Sequence, residues 1–393
     1  MLAREVSQNY FKKSLSSIHA TRANSLFEAC WALTNHSDLT VSSIGKNKSG
    51  NAYVKHKIKS ADRLIGNAKL YSELQTVYGE FYHPFLASIK SVHVIVDWSG
   101  CCRSDLYVLR ASVVHEGRSI TIYNEIHPQK KLGNPVVQKQ FLANLKRQIP
   151  FGKHVIVITD AGFATPWFKA IVKLGWDYIG RMRGDTKILF GDMMRWIRTR
   201  KLYKKATNKI KYLGKGVIGS ASRTRVQGHV YCYKENSKKR KDISKYPDSN
   251  KRYSKANNTP WVIVTTLNNK SYGKDYIIQM YANRMLIEQT FRDDKSPRFG
   301  FGWRYGRTVC LKRIAILCLI ASIASFFLIN LGRIGENLHL HRRYQVNTSK
   351  KRVLSLLTLA RLILQHSTPS ELINEYKQLT WQLLKNREVF YGR

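Results

Sequence analysis

Two short segments, Val92-His93-Val94-Ile95-Val96-Asp97 and His154-Val155-Ile156-Val157-Ile158-Thr159-Asp160, are nearly unbroken runs of apolar, mostly β-branched residues, each ending in an aspartate. Continuous apolar runs of this length predict central strands covered on both faces. Between them the pattern predicts a hairpin, Asp105 to Val114 and Arg118 to Ile126 around His115-Glu116-Gly117, and then a helix over Pro135 to Ile149. A helix at Pro166 to Leu174 and a strand at Asp177 to Met182 follow. Upstream, Arg22 to Leu33 and Lys57 to Tyr82 are predicted helical, separated by a polar stretch from Asn35 to Gly50 that carries Lys46 and Lys48. Downstream, Trp261 to Leu267 is a further apolar strand and Tyr281 to Lys295 a helix. The apolar stretch Ile314 to Ile329, broken by Ser322 and Ser325, falls short of the usual membrane span and is expected to be a buried core helix.

The helix at 281–295 carries two faces. Met280, Ile287 and Phe291 line up toward the core, while Tyr281, Arg284, Glu288 and Lys295 recur at helical spacing on another side. A carboxylate beside two cations and a phenol suits a metal-plus-phosphate ligand, with the glutamate on the metal and the cations on phosphate oxygens. A solvent-facing helix with (i, i+4) ion pairs accounts for the same stripe. If the two Asp-terminated strands are parallel neighbours, Asp97 and Asp160 emerge side by side at the sheet edge where α/β proteins bind ligands. Carboxylates so close need a shared proton or a bridging cation. With Glu288 as a third oxygen donor, Mg²⁺ or Mn²⁺ is favoured over zinc. Strands also end in Asp simply because Asp caps turns. Asp293 and Asp294 lie off the Glu288 face and are expected at the surface; His339 and His341, in a basic polar tail, are not expected to bind metal.

Charge narrows the partner. The 393 residues hold 67 Lys plus Arg against 25 Asp plus Glu, a formal charge of +42, and a pI near 10.2. So strong an excess calls for a polyanion, with nucleic acid foremost. The 43% hydrophobic content supports ordinary packed cores and argues against a disordered basic tail. Basic residues concentrate between Gly184 and Thr259, in Arg198-Thr199-Arg200-Lys201 with Lys204-Lys205, Lys209 to Lys215, and Lys238-Lys239-Arg240-Lys241. Interleaved Tyr203, Tyr212, Tyr231, Tyr233 and Tyr253 suit backbone tracking combined with base stacking. The six cysteines show no metal-ligand spacing and fit reduced thiols in a cytoplasm. Met1 to Leu15 lacks an apolar secretory core, so the chain is expected to stay inside the cell.

The stripe Tyr281, Arg284, Glu288, Lys295, together with the contexts Val96-Asp97-Trp98-Ser99, Thr159-Asp160-Ala161-Gly162-Phe163 and Glu288-Gln289-Thr290-Phe291-Arg292-Asp293, resembles the DDE transposases of bacterial insertion sequences. The match is to the cut-and-paste group, the insertion-sequence-four family, and runs from about Arg22 to about Leu331. The order strand, hairpin, helix, strand, helix, strand is that of a ribonuclease H-like fold. The 128 positions from Asp160 to Glu288 exceed a plain core of that kind and require an insertion. The implied α/β architecture is a helical transposon-end-binding domain at 1–88, a catalytic core at 89–183 and 260–335 interrupted by a β-rich basic insertion at 184–259, and a helical carboxy-terminal region at 336–393 suited to dimerisation.

The resemblance also implies a chemistry. Asp97, Asp160 and Glu288 become the catalytic ligands of two Mg²⁺ ions about 3.5–4 Å apart, with Mn²⁺ as substitute. Tyr281, Arg284, Lys295 and Arg292 become DNA contacts of the signature helix, and Arg181 and Arg183 lie near the scissile phosphate. Trp261 stacks a flipped base, and Arg63, within Ala61-Asp62-Arg63-Leu64-Ile65-Gly66-Asn67, belongs to the segment that grips the transposon end. The partners are double-stranded DNA, as inverted-repeat ends and as target, and a second copy of the chain; no membrane is involved, and the setting is a bacterial cytoplasm. The implied reaction is end nicking, hairpin formation, hairpin opening and strand transfer. A ribonuclease H-like nuclease without strand transfer and a non-enzymatic basic binding protein are the alternative readings.

Overall fold

The computed structural model describes residues 2–35, 38–101, 105–191, 195–234, 259–268, 270–366 and 369–391. Both apolar runs form adjacent strands: β1 (Ser91–Gly100) pairs in parallel with β4 (His154–Thr159), in register from Ser91↔His154 to Val96↔Thr159. β5 (Asp177–Met182) continues the parallel pairing beyond β4. Its two faces meet different helices. Gly180 faces Phe168 of α8 (Thr165–Lys173), where any added Cβ would strike the ring, whereas Arg181 points the other way, toward Tyr281. Two-sided cover of this kind accounts for the unbroken apolar runs of β1 and β4.

β2 (Leu106–His115) and β3 (Arg118–Pro128) form the expected hairpin on the other side of β1. Its turn residues Glu116 and Gly117 have φ of 46° and 75°, the pair of positive values that a tight type I′ turn requires. Arg333 holds the Glu116 carboxylate at 3.2 Å. α7 (Pro135–Gln148) starts at Asn134, whose Oδ1 accepts from the Val136 and Val137 amides at 2.9 and 3.2 Å, with Pro135 in the first turn.

The basic insertion does not stand apart from this sheet. β6 (Lys187–Phe190), β7 (Ile197–Arg198), β8 (Lys211–Ile218) and β9 (Val226–Tyr233) join it through β10 (Trp261–Thr265), which is antiparallel to both β5 and β9. The order is β3-β2-β1-β4-β5-β10-β9-β8-β6-β7, one mixed ten-stranded sheet among the described residues. The cluster Lys238-Lys239-Arg240-Lys241, Tyr253 and Cys102 lie outside the described residues. The mixed α/β architecture is compatible with a ribonuclease H-like core.

Helices from both ends of the chain pack together beside the sheet. α1 (Leu2–Ser14), α2 (Ala20–Thr34) and α6 (Leu74–Ser88) surround α12 (Leu311–Asn337), with α13 (Leu356–Gln365) and α14 (Ser370–Tyr391) closing the group. The rings of Tyr10, Phe81 and Phe326 from three of these helices pack together with centroids 5.4 to 5.7 Å apart, and Ser7 hydrogen-bonds Tyr376 at 2.9 Å. α12 is long and apolar enough to cross a membrane, but 94% of its most apolar window is buried against the rest of the chain. The helix expected over 57–82 is instead three. α4 (Val54–Ile65) ends at Gly66, and α5 (Ala68–Ser72) starts afresh at Asn67, whose Oδ1 caps Leu70 at 2.8 Å, before α6. The polar stretch before α4 also holds a short helix, α3 (Val41–Lys46), with Thr40 capping Ser43 at 3.1 Å.

Candidate active site

Asp97 and Asp160 each stand one position past the last residues that β1 and β4 pair with each other, Val96 and Thr159; Asp160 lies just beyond its strand, whereas β1 runs three residues past Asp97, which itself pairs with Arg110 of β2. Asp97 shares the sheet face of His93 by the two-residue strand period, and His93 is bonded to Tyr276 of α10 (Lys274–Ala282) at 2.9 Å. That face is also covered by α11 (Met285–Lys295), which brings Glu288 over the end of β1. Asp97 Oδ1 accepts from the Trp98 amide at 2.8 Å, and Asp160 Oδ1 accepts from the Gly162 amide at 2.8 Å. Arg284 stands between the groups, with Nη1 3.1 Å from Glu288 Oε1 and 3.8 Å from Asp97 Oδ2. Lys295 donates to Ser99 Oγ at 2.7 Å. Asp97, Glu288, Arg292 and Lys295 thus line one open cleft of about 590 Å³.

The electrostatics explain why a cation belongs here. Burial, and then the neighbouring Asp160, push the Asp97 carboxyl up to about 7, against the opposing pull of Arg284. Both groups present hard oxygen donors, and their mutual repulsion is what a divalent ion relieves. Among the described residues no three His, Cys, Asp or Glu side chains close around a single point. Asp97 and Asp160 are juxtaposed, whereas Glu288 faces them across the Arg284 guanidinium. The donor chemistry therefore fits a hard divalent ion held first by the two aspartates, with Glu288 at the opposite wall.

The model of the transposase DDE domain family matches residues 92–324, a span that holds all three carboxylates. The chain belongs to this family. No curated protein matches it significantly. Transposases act on DNA, and DDE domains generally use divalent metal ions, so a basic chain with this carboxylate cleft has both its partner class and its cofactor class accounted for.

The remaining predicted residues of this transposase scatter in depth. Arg292 is exposed at the cleft, Arg183 is exposed just past β5, and Arg63 is exposed on α4. Arg181 is 6% exposed and gives its guanidinium to the Thr259 and Pro260 carbonyls at 2.9 and 3.3 Å. Burial lowers its pKa. It braces the strand that returns from the insertion. Tyr281 is buried, and Trp261, half-buried at the start of β10, packs edge-on against it at 4.9 Å.

Three expectations need correction. The signature segment is two helices, α10 and α11, separated at Asn283 and Arg284; Tyr281 is 3% exposed, with its hydroxyl beside Arg181, Arg284 and Asp160 rather than open to the cleft. Asp293 and Asp294 are not surface residues. Asp294 is 3% exposed and pairs with Arg110 at 2.6 Å, and Asp293 pairs with Arg118, because α11 is covered on a second side by the β2–β3 hairpin. Of the insertion tyrosines, Tyr231 is buried in the sheet, while Tyr212, 40% exposed, bonds His229 at 2.8 Å. Arg110 and Arg118 went unnoticed in the sequence, although an arginine inside the apolar run Leu106–His115 is a signal, since a charge there must have a partner.

Proposed function

We propose that this transposase moves an insertion sequence by the cut-and-paste route of the insertion-sequence-four family, nicking the element ends, forming and opening hairpins, and joining the freed 3′-hydroxyls to target DNA. The observation that carries the reading is the pair Asp97 and Asp160 side by side on adjacent parallel strands, with Glu288 lining the same cleft as Asp97. Asp97, Asp160 and Glu288 would hold two Mg²⁺ ions, Mn²⁺ substituting, whose chemistry there would be to activate an attacking oxygen and to stabilise a leaving one. Arg284, Arg292 and Lys295 bind phosphate oxygens along the cleft. Arg183 extends that contact past β5, with Arg181 behind it. Trp261, supported by Tyr281, takes the base displaced when the hairpin forms.

The helical amino-terminal region binds the element end. α3 and α4 cross so closely that a Cβ on Gly45 would meet the Ile58 backbone, and α4 turns Lys55, His56, Lys59 and Arg63 to solvent, an arrangement suited to laying one helix in a major groove. The core is ribonuclease H-like, the working form on DNA is a homodimer, and the setting is the cytoplasm.

The test is cleavage and joining in Mg²⁺ with the full chain. Alanine at Asp97, Asp160 or Glu288 removes nicking and strand transfer together while end binding persists, and combining the substitutions adds no further loss. Strand transfer by Glu288→Ala sinks the assignment. Cleavage by the wild-type protein without any joining to target DNA would leave a nuclease in its place.

A further inference from the structure

The Glu288 helix is fastened to the β2–β3 hairpin from the side opposite the cleft. Arg110, in the middle of β2 with a side chain 1% exposed, donates from Nη2 to Asp294 Oδ2 at 2.6 Å and lies 4.5 Å over the Phe291 ring. Arg118, at the start of β3, pairs with Asp293 through side chains 14% and 17% exposed. Between them Ser119 Oγ bonds Thr290 Oγ1 at 2.6 Å. The helix has no side-chain cap at its start, so these fasteners, rather than local signals, decide where it lies.

A buried ion pair is weak evidence for stability, because desolvation offsets its attraction. Two pairs plus a hydroxyl bond on one side of an eleven-residue helix do something else: they fix its rotation and its distance from the sheet. The Arg110 side also reaches further, since its Nε donates to Asn124 Oδ1 at 2.8 Å and Asn124 donates to Ser322 Oγ at 3.0 Å on α12. The core helix of the helical body and the Glu288 helix are thereby joined through one buried polar chain.

We infer that Arg110 and Arg118 are positioning residues that set how far Glu288 reaches toward Asp97 and Asp160. The inference rests on Glu288 being the third carboxylate of the cleft. An error of about 1 Å in such a group is enough to cost on the order of 10²-fold in rate.

The experiment uses the full chain, with Mn²⁺ titration calorimetry without DNA, melting temperature, end binding, and cleavage in preassembled end complexes. Two replacements loosen the clamp: the double variant Arg110→Met/Asp294→Leu, which leaves no unpaired buried charge, since apolar substitution of a buried pair is often neutral, and Arg118→Gln at the more accessible pair, where the amide can still donate a hydrogen bond to Asp293. Both are expected to melt and bind ends as the wild type does, to bind Mn²⁺ about 10 to 100-fold more weakly, as loss of a ligand's support does, and to regain part of their cleavage at high Mn²⁺. Arg118→Lys should restore most of the Mn²⁺ affinity. A purely structural role predicts the reverse pattern, lower melting temperature and weaker end binding with Mn²⁺ affinity unchanged, and overturns the proposal; so does wild-type behaviour throughout. Should the double variant not fold, Arg118→Gln decides alone. Glu288→Ala separates the two ideas: wild-type Mn²⁺ binding and cleavage there would remove the ligand reading itself, whereas silent clamp variants beside an inactive Glu288→Ala would remove only the clamp.

Discussion

In the half of the sheet around β1 and β4 apolar buried residues follow one another almost without interruption, whereas in β8 burial gives way to exposed lysines at Lys211 and Lys215 and in β9 buried and accessible positions mix. The two halves share one hydrogen-bonded sheet through β10, yet a charge means different things in each. In the first half a charged side chain leaves water only with a partner: Arg110 has Asp294, and Asp97 has Arg284. Single residues there carry structure or chemistry, and losing one is costly. In the second half Lys211 and Lys215 stand in water and Arg198 and Arg200 share the exposed Asp185, so each contributes to a field rather than to a buried pair.

Trp261 sits at the seam and gives the largest test after the carboxylates themselves. It opens β10, rests on Tyr281 at 4.9 Å and on Tyr233 at 5.7 Å, and remains half-exposed. A stacking platform is worth roughly 1–3 kcal/mol per base, so Trp261→Ala should slow hairpin formation by about one to two orders of magnitude while first-strand nicking continues. Nicked ends accumulate on a sequencing gel. Phe should rescue in part and Leu should not. An unchanged ratio of hairpin to nick would make Trp261 an ordinary seam residue and move base holding into the second half.

A smaller effect distinguishes the halves by stability rather than rate. The Asp97 carboxyl is raised from 3.8 to about 7 in the folded chain, so the stability it contributes is fully present below 3.8 and is lost as pH rises through about 7. At pH 8 without divalent ions the wild-type protein carries the whole penalty of an ionised, buried Asp97 beside Asp160, and Asp97→Asn does not. The variant should melt higher at pH 8, by a margin that shrinks to nothing near pH 4. Mg²⁺ should close the gap at pH 8 by stabilising only the wild type. A variant that melts lower than the wild type at pH 8 would mean that Arg284 outweighs burial and Asp160.

The two strands and the aspartates that follow their apolar runs were legible because two-sided burial writes itself as an unbroken apolar run. The family's signature spacing led to Glu288 and Lys295 in the cleft, although it gave no sign that Tyr281 is buried. The break at Asn283 and Arg284 leaves no trace in composition: both residues keep right-handed helical dihedrals, φ −60° and −51°, with no Gly or Pro between the two helices. On either side of it Tyr281 packs against Trp261 and Arg284 faces Asp97 and Glu288. Asp294 failed for a related reason. Helical spacing tells which residues share a side, but not how many sides a neighbouring hairpin covers. That the insertion would extend the core sheet was equally invisible, since pairing partners are chosen by strands far apart in sequence.

The smallest effects belong to the second half. If Lys211 and Lys215 each neutralise one phosphate, each alanine substitution should lower the log–log salt slope of end binding by about 0.9 on duplex DNA, with affinity losses that add because the contacts are independent. Fluorescence anisotropy across a salt series measures both quantities. Cleavage within preassembled complexes should stay at the wild-type rate, since neither side chain lines the carboxylate cleft. The contrast with Asp97 is then complete in kind as well as in size: one substitution removes chemistry and spares binding, the other trims binding and spares chemistry. A single lysine whose loss abolished end binding, or altered the hairpin-to-nick ratio, would show that the outer strands hold a specific contact after all, and the division of the sheet into a half where individual residues decide and a half where only their sum does would fail at that strand.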